Sequence, residues 1–218
     1  MDQSDQHEEL ETEFESEPRP RGRPRSERAR RAVLDAAAHE LFAHGVAAIT
    51  VDAIAERAGV SKATIYKWWP SKAAIAVDAF LETVEPQVPS PDVGDLYREL
   101  AEPAIAQLRL FRDTPVGFAL ASIVAAAQSD PDVAEAFRNR WLGARRRDAY
   151  QAIDRAKARK QIRADADADV LLDVIFGPIY YRLLTGYAPL DEGLVDVLVE
   201  TALNGVAIKD PGGTRRPT

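Results

Sequence analysis

The chain has 218 residues, 46% of them hydrophobic, and a formal net charge of −7, yet residues 18–72 carry 11 Lys and Arg against 5 Asp and Glu. That local excess keeps a nucleic-acid partner open where the total charge would argue against one. The absence of cysteine excludes a disulfide framework and thiolate chemistry, no run of about 18 apolar residues marks a membrane span, and no cationic-then-apolar start marks a signal peptide, so the cytoplasm is the expected location.

Residues 1–17 hold eight carboxylates and no Lys or Arg. Such a segment cannot bury enough apolar surface to order itself and reads as a disordered acidic tail. It is either simply solvated or folds back on the basic segment to weaken nonspecific DNA binding. Pro18 to Arg25 then alternates Arg with Pro and Gly, which keeps it out of a helix and completes a disordered region over 1–25. An extended arm of this kind lets Arg21, Arg23 and Arg25 follow a narrow minor groove. It resembles an AT-hook core, with a plain basic linker as the alternative.

A helix is expected over Ser26–Ala43, with Val33, Leu34, Ala37, Leu41 and Phe42 on one face and Gly45 beyond its end. From Thr50 to Trp69 the pattern is two short helices joined by a tight turn. Val51, Ile54, Ala55 and Ala58 make the apolar stripe of the first, Thr50 supplies its N-cap and Gly59 its left-handed exit. Ser61 caps the second, which buries Ile65 and leaves Lys62, Ala63, Thr64, Tyr66, Lys67 and Trp68 on its open side. In a helix-turn-helix this second helix touches base edges. Lys62 and Thr64 are the base-edge candidates, Tyr66 and Trp68 suit backbone or thymine methyl groups, and Thr50, Lys67 and Lys72 suit phosphates. Ser71 caps a further helix that turns Ile75, Ala79 and Phe80 inward.

The stretch Arg23–Phe80, with RRAVLDAAAHELFAHGVAAIT followed by VDAIAERAGVSKATIYKWWPSKAAI, resembles the N-terminal DNA-binding domain of the TetR/AcrR family of transcriptional regulators. The family's usual exit, Tyr-x-x-Phe or Tyr-x-Tyr-Phe, is replaced here by Tyr66-Lys67-Trp68-Trp69. The resemblance implies a DNA-binding domain over 26–85 and an effector-binding and dimerisation domain over 95–208, with a palindromic operator on double-stranded DNA as the partner of a homodimer.

Prolines at 86, 89 and 91 mark the boundary between the two parts. Beyond it, helices are expected over Asp95–Arg112 (kinked at Pro103), from Thr114-Pro115 to Ala127, from Asp130-Pro131 to about Lys160, over Asp167–Thr185 and over Asp191–Ala207, followed by a disordered tail over 209–218. No segment alternates like a strand, so the expected fold is all-α with about nine helices. Aromatic residues on these helices, Phe111, Phe118, Phe137, Trp141, Phe176 and Tyr180, are candidates for a cavity taking a small apolar or aromatic effector, or else plain core. Gly177-Pro178 would bend its helix toward that cavity or the dimer seam. Under the resemblance, the last two helices form the dimer interface, with Val174, Ile175, Tyr181, Leu194, Leu198 and Ala202 as its candidates.

Catalysis is set aside. The histidines His7, His39 and His44 have no triad context, and Asp165, Asp167 and Asp169 lack the glycine and distal Glu of a calcium loop. Neither metal nor cofactor is expected. The reading is a ligand-released homodimeric repressor. An activator or effector-independent regulator, and an architectural binder of A·T-rich minor grooves, are its alternatives.

Overall fold

In the computed structural model of the chain, residues 23–89 and 91–207 are described, and every regular element among them is helical. They form α1 (Arg23–His44), a 3-10 turn (Val46–Ala48), α2 (Val51–Ala58), α3 (Lys62–Tyr66), α4 (Lys72–Val84), α5 (Leu96–Asp113), α6 (Val116–Ala127), α7 (Pro131–Ala136), a π-helical turn (Phe137–Leu142), α8 (Gly143–Ala158), α9 (Ala168–Thr185) and α10 (Glu192–Val206). Because α7, the π turn and α8 follow one another without a break, the described residues make nine rods. Arg21, the acidic segment 1–17 and the segment 209–218 lie outside the described residues.

The boundaries follow local chemistry. Thr50, Ser61 and Ser71 each accept a backbone N–H three residues on, at 3.2 Å, and so start α2, α3 and α4. Asp95, Asp130, Asp167 and Asp191 cap α5, α7, α9 and α10 by accepting backbone N–H groups two or three residues on. Asp167 is thus a helix cap. Gly59 ends α2 in the left-handed region at φ 64, where a side chain would cost energy. Thr114 accepts the Val116 N–H at 3.2 Å and donates to the Leu110 carbonyl at 2.6 Å, bridging α5 to α6. Those two helices meet at 92°, and no single described helix is long and apolar enough to cross a membrane.

Two expectations need correction here. The arm was expected to stay extended through Arg25, but Arg23 and Arg25 belong to the first turn of α1. Pro24 does not prevent this, because the first-turn N–H has no intrahelical partner to lose. The rod from Asp130 was expected to be regular throughout, whereas its middle six residues widen into a π turn.

Among the described residues one hydrophobic core joins the N-terminal and C-terminal helices, and α4 is its hub. Ala73, Ala74, Ile75, Ala76, Val77, Ala79, Phe80 and Val84 are all buried, because α4 packs on α1 on one side and on α6, α7 and the π turn on the other. Val33, Leu34, Ala37 and Leu41 of α1 are buried as the periodicity required. Helices α1 and α4 therefore rest directly on the helices of the C-terminal bundle.

Candidate functional site

Helices α2 and α3 cross over the buried Ile54 and Ile65 and turn a polar face outward. Thr50, Ser61, Lys62, Ala63, Tyr66, Lys67 and Lys72 are exposed there, while Thr64 and Trp68 are half-buried. The helix is shorter than its sequence suggested, closing at Tyr66, so Lys67 is its C-cap and Trp68 lies in the following turn. Two side chains expected to be free are held internally. Lys62 pairs with the Asp52 carboxylate of α2, which raises the pKa of its ammonium. The hydroxyls of Ser61 and Thr64 lie 2.9 Å apart and hydrogen-bond each other. Both contacts are at the surface, so they set resting rotamers and can exchange for phosphate or base contacts at little cost.

Sequence reasoning missed the neighbouring tryptophan. Trp69 is 2% exposed and donates its indole N–H to Asp78 Oδ2 of α4 at 2.7 Å. The other oxygen of Asp78 pairs with Arg140 of the π turn. A second tie joins the Val46 N–H to the Ser122 hydroxyl of α6 at 3.1 Å. The exit of α3 is thereby connected through one carboxylate to the C-terminal helices. No periodicity signals such a contact, since Asp78 reads as an ordinary polar position of α4.

Behind the π turn lies a cavity of about 310 Å3, walled by α5, α8 and α9. Among its lining residues are Leu100, Pro103, Phe137, Leu142, Phe176 and Tyr180. Of the six aromatic candidates, Phe137, Phe176 and Tyr180 face it. Trp141 stands just behind, donating its indole N–H to the Tyr180 hydroxyl at 2.7 Å and meeting Phe80 of α4 edge-on at 5.0 Å. Phe111 is core, edge-on to Tyr180 at 5.8 Å. Phe118 is 54% exposed on the outer side of α6 and takes no part in the cavity: its helix buries Ala119, Leu120 and Ile123 instead. Gly177, singled out beside Pro178, does line the cavity, with open space where a Cβ would stand.

The polar members of this wall were not foreseen. Gln107 donates to the Tyr180 hydroxyl at 3.4 Å, and burial pushes the Tyr180 phenol up to about 12. Glu99 also lines the cavity, but it is committed elsewhere, accepting from the backbone of Val93 and Gly94 and from Arg155 at 2.8 Å.

Comparison with known proteins fits this layout. Residues 33–79 match the family described as "Bacterial regulatory proteins, tetR family", and residues 90–202 match "Tetracyclin repressor-like, C-terminal domain". The HTH-type transcriptional regulator YdeS of Bacillus subtilis (strain 168) is 40% identical over 183 residues, which are 84% of this chain and 92% of that protein. The chain belongs to the TetR family. It is accordingly a DNA-binding transcriptional regulator rather than an enzyme. The crystal structure of the TetR family transcription regulator SCO0332 superposes with a TM-score of 0.72 at 38% identity, covering 83% of this chain and 99% of that one. The Flavonoid-responsive Regulator FrrA superposes with a TM-score of 0.60 at 27% identity, covering 81% and 94%.

In this TetR-family chain the residues expected at a dimer seam divide into two groups. Val174 and Tyr181 are exposed on α9, by 37% and 59%. Ile175 and Ala202 are instead buried in the protomer's own core, and Leu194 and Leu198 pack against it. The candidates divide because α9 and α10 each turn one stripe inward and a different one outward. The outward stripe consists of Val170, Val174, Tyr181 and Leu184 on α9 and Val197 on α10, with Tyr187 in the connecting loop.

Proposed function

We propose that this regulator is a homodimeric repressor that leaves a palindromic operator when a small molecule enters the cavity behind the π turn. The observation that carries the proposal is the continuity of contacts from cavity to DNA face. The Tyr180 hydroxyl at the cavity wall is bonded to Trp141, the preceding residue Arg140 pairs with Asp78, and Asp78 holds Trp69 at the exit of α3. A molecule that displaces the π turn must move α4 or break these contacts, and either changes the separation of two recognition helices in a dimer. It can do so only if it binds the two arrangements with different affinity.

The apolar outward stripe on α9 and α10 supports the dimer, since monomers rarely leave so many large apolar side chains together in water. Two-fold symmetry of the protein would be mirrored in the half-sites. FrrA, by its name responsive to flavonoids, supports an aromatic small-molecule effector for this fold. Thr64 and Lys62 would then read bases, while Thr50, Lys67 and Lys72 grip phosphates. The architectural alternative loses part of its basis, because Arg23 and Arg25 start a helix and do not extend a groove-following arm.

Enrichment of a random duplex library on the purified protein, at fixed near-physiological salt, tests the reading. A two-fold symmetric site is the expected result. Asymmetric, A·T-rich enrichment would replace the reading with minor-groove binding by the Arg-rich segment.

A further inference from the structure

Arg145 is the unexplained group in the cavity wall. It sits on α8, lines the cavity, and places its guanidinium over the Trp141 ring, 5.1 Å from the centroid. One terminal nitrogen, Nη2, is buried with no hydrogen-bond partner, and among the described residues the side chain makes neither an ion pair nor a hydrogen bond. The neighbouring arginines are different. Arg146 is neutralised by Asp169 and Asp173, and Arg155 by Glu99 and Asp92. The carboxylates of Glu85 and Asp148 act on Arg145 only at a distance, and burial holds its pKa below the ordinary arginine range. The side chain as a whole is half-buried, so the cation has lost part of its water without gaining an anion, at a cost in proportion.

Tyr180 supplies a second donor beside it. Indole N–H groups can only donate, so the Tyr180 oxygen is the acceptor of the bond from Trp141, and it accepts from Gln107 as well. The phenol's own proton has no acceptor among the described residues, and Tyr180 lines the cavity. Two donors, one of them cationic, therefore serve a cavity walled by apolar residues such as Leu100, Phe137, Leu172 and Phe176 and by three carboxylates. Of these, Glu99 and Asp173 are already paired with Arg155 and Arg146, and Asp148 is the one a bound anion must stand away from.

We infer that the effector is an organic anion, an apolar body bearing one carboxylate or similar acidic oxygen group, which Arg145 pairs and the Tyr180 hydroxyl hydrogen-bonds. The inference rests on the effector reading above and sharpens it from apolar to amphiphilic and anionic. Ligand entry would then supply the counter-charge that the empty protein lacks, in a site where little water competes.

Calorimetric titration of the full chain with matched pairs tests this: 1-naphthoate against 1-naphthalenemethanol, and decanoate against 1-decanol. At least one acid is expected to bind about tenfold to a hundredfold tighter than its neutral partner, the range of a charge-assisted hydrogen bond. Arg145→Met should erase that preference, Arg145→Lys should keep part of it, and Tyr180→Phe should reduce acid binding a few-fold. Ligand-free Arg145→Met should also melt slightly above the parent protein, since it removes an unpaired, half-buried charge. Equal binding of acid and alcohol overturns the anion assignment and leaves the effector cavity standing. If none of the four probes binds at millimolar concentration, both readings fall. Retention of the preference by Arg145→Met, or a lower ligand-free midpoint, would mark the guanidinium as packing for Trp141 and overturn the assignment.

Discussion

Asp78 of α4 pairs with Arg140 of the π turn, and its second oxygen accepts the indole N–H of Trp69 at 2.7 Å. One half-buried carboxylate thus joins the exit of α3, the linking helix and the segment behind the cavity. Asp78→Asn keeps an acceptor for Trp69 but gives up the charge that holds Arg140. With Arg140 38% exposed, the expected stability loss is only about 1 kcal/mol. The larger effect is expected in the ratio of operator affinities with and without ligand, which should shrink several-fold. A ratio equal to that of the parent protein would remove Asp78 from the coupling.

The corner between α5 and α6 sets a strict steric limit. A Cβ on Gly117 would overlap the carbonyl oxygen of Phe111 and stand 3.2 Å from Leu183 Cδ1. Backbone cannot yield as a side-chain tip can, so Gly117→Ala should cost at least the 1–3 kcal/mol, roughly, that overpacking usually costs. Gly205→Ala is the control, with nothing within 4 Å of the new carbon and up to about 1 kcal/mol of helix propensity to gain. Urea unfolding of both variants checks the contrast.

Much of this arrangement is legible in the chain itself. Caps at Thr50, Ser61 and Ser71, the helix starts at Asp95, Asp130, Asp167 and Asp191, and the apolar stripes of α1 and α2 depend on neighbours within a turn or two. The features that define the cavity do not. The π turn answers to packing against α4, the uncompensated charge of Arg145 exists only once α8 lies beside Trp141, and Trp69 could not be told from Trp68 until Asp78 was placed. The dimer-seam candidates divide for a related reason. Periodicity marks Ile175 and Val174 alike as apolar, and only the fold shows that one is buried and the other 37% exposed.

Stability should depend on pH through Glu99. Burial pushes its carboxyl up, but hydrogen bonds from Arg155 and from the Gly94 and Val93 backbone outweigh this and leave its pKa below the ordinary value of 4.5. A depressed folded-state pKa gives stability that is full above the unfolded value and is lost as pH falls through the folded one. The protein should therefore weaken as pH falls below the ordinary glutamate value of 4.5, and Glu99→Gln should flatten that slope. At neutral pH the variant should lose about 2 kcal/mol, a charged hydrogen-bond network reduced to a neutral one. Thermal midpoints measured from pH 3 to 7 in both proteins, roughly the carboxylate titration range, test the sign. Parallel curves would exclude Glu99.

The two groups of seam residues predict two different failures. Tyr181→Glu adds charge to a side chain already 59% exposed, so the protomer should stay folded and lose self-association in light scattering. Ala202→Glu forces a carboxylate into a position 6% exposed and should instead lower the thermal midpoint. A folded Tyr181→Glu that keeps the parent's mass in solution would show that this stripe is not the seam.

Salt dependence separates the roles on the DNA face. Lys72 is exposed and is expected to touch phosphate alone, so Lys72→Ala should weaken all duplexes alike and reduce the slope of log affinity against log salt by about 1. Lys62 begins paired to Asp52 and must leave that carboxylate to reach DNA. The repulsion of phosphate by Asp52 and its competition for Lys62 both act against binding. Asp52→Asn should therefore tighten binding to random duplex several-fold at low salt, with the gain shrinking as the Debye length contracts. Lys62→Ala should lose discrimination between operator and random sequence more than it loses overall affinity. If Lys62→Ala lowers both affinities equally and leaves the ratio intact, Lys62 is a phosphate contact like Lys72, and base reading falls to Thr64 and the exposed edge of Tyr66.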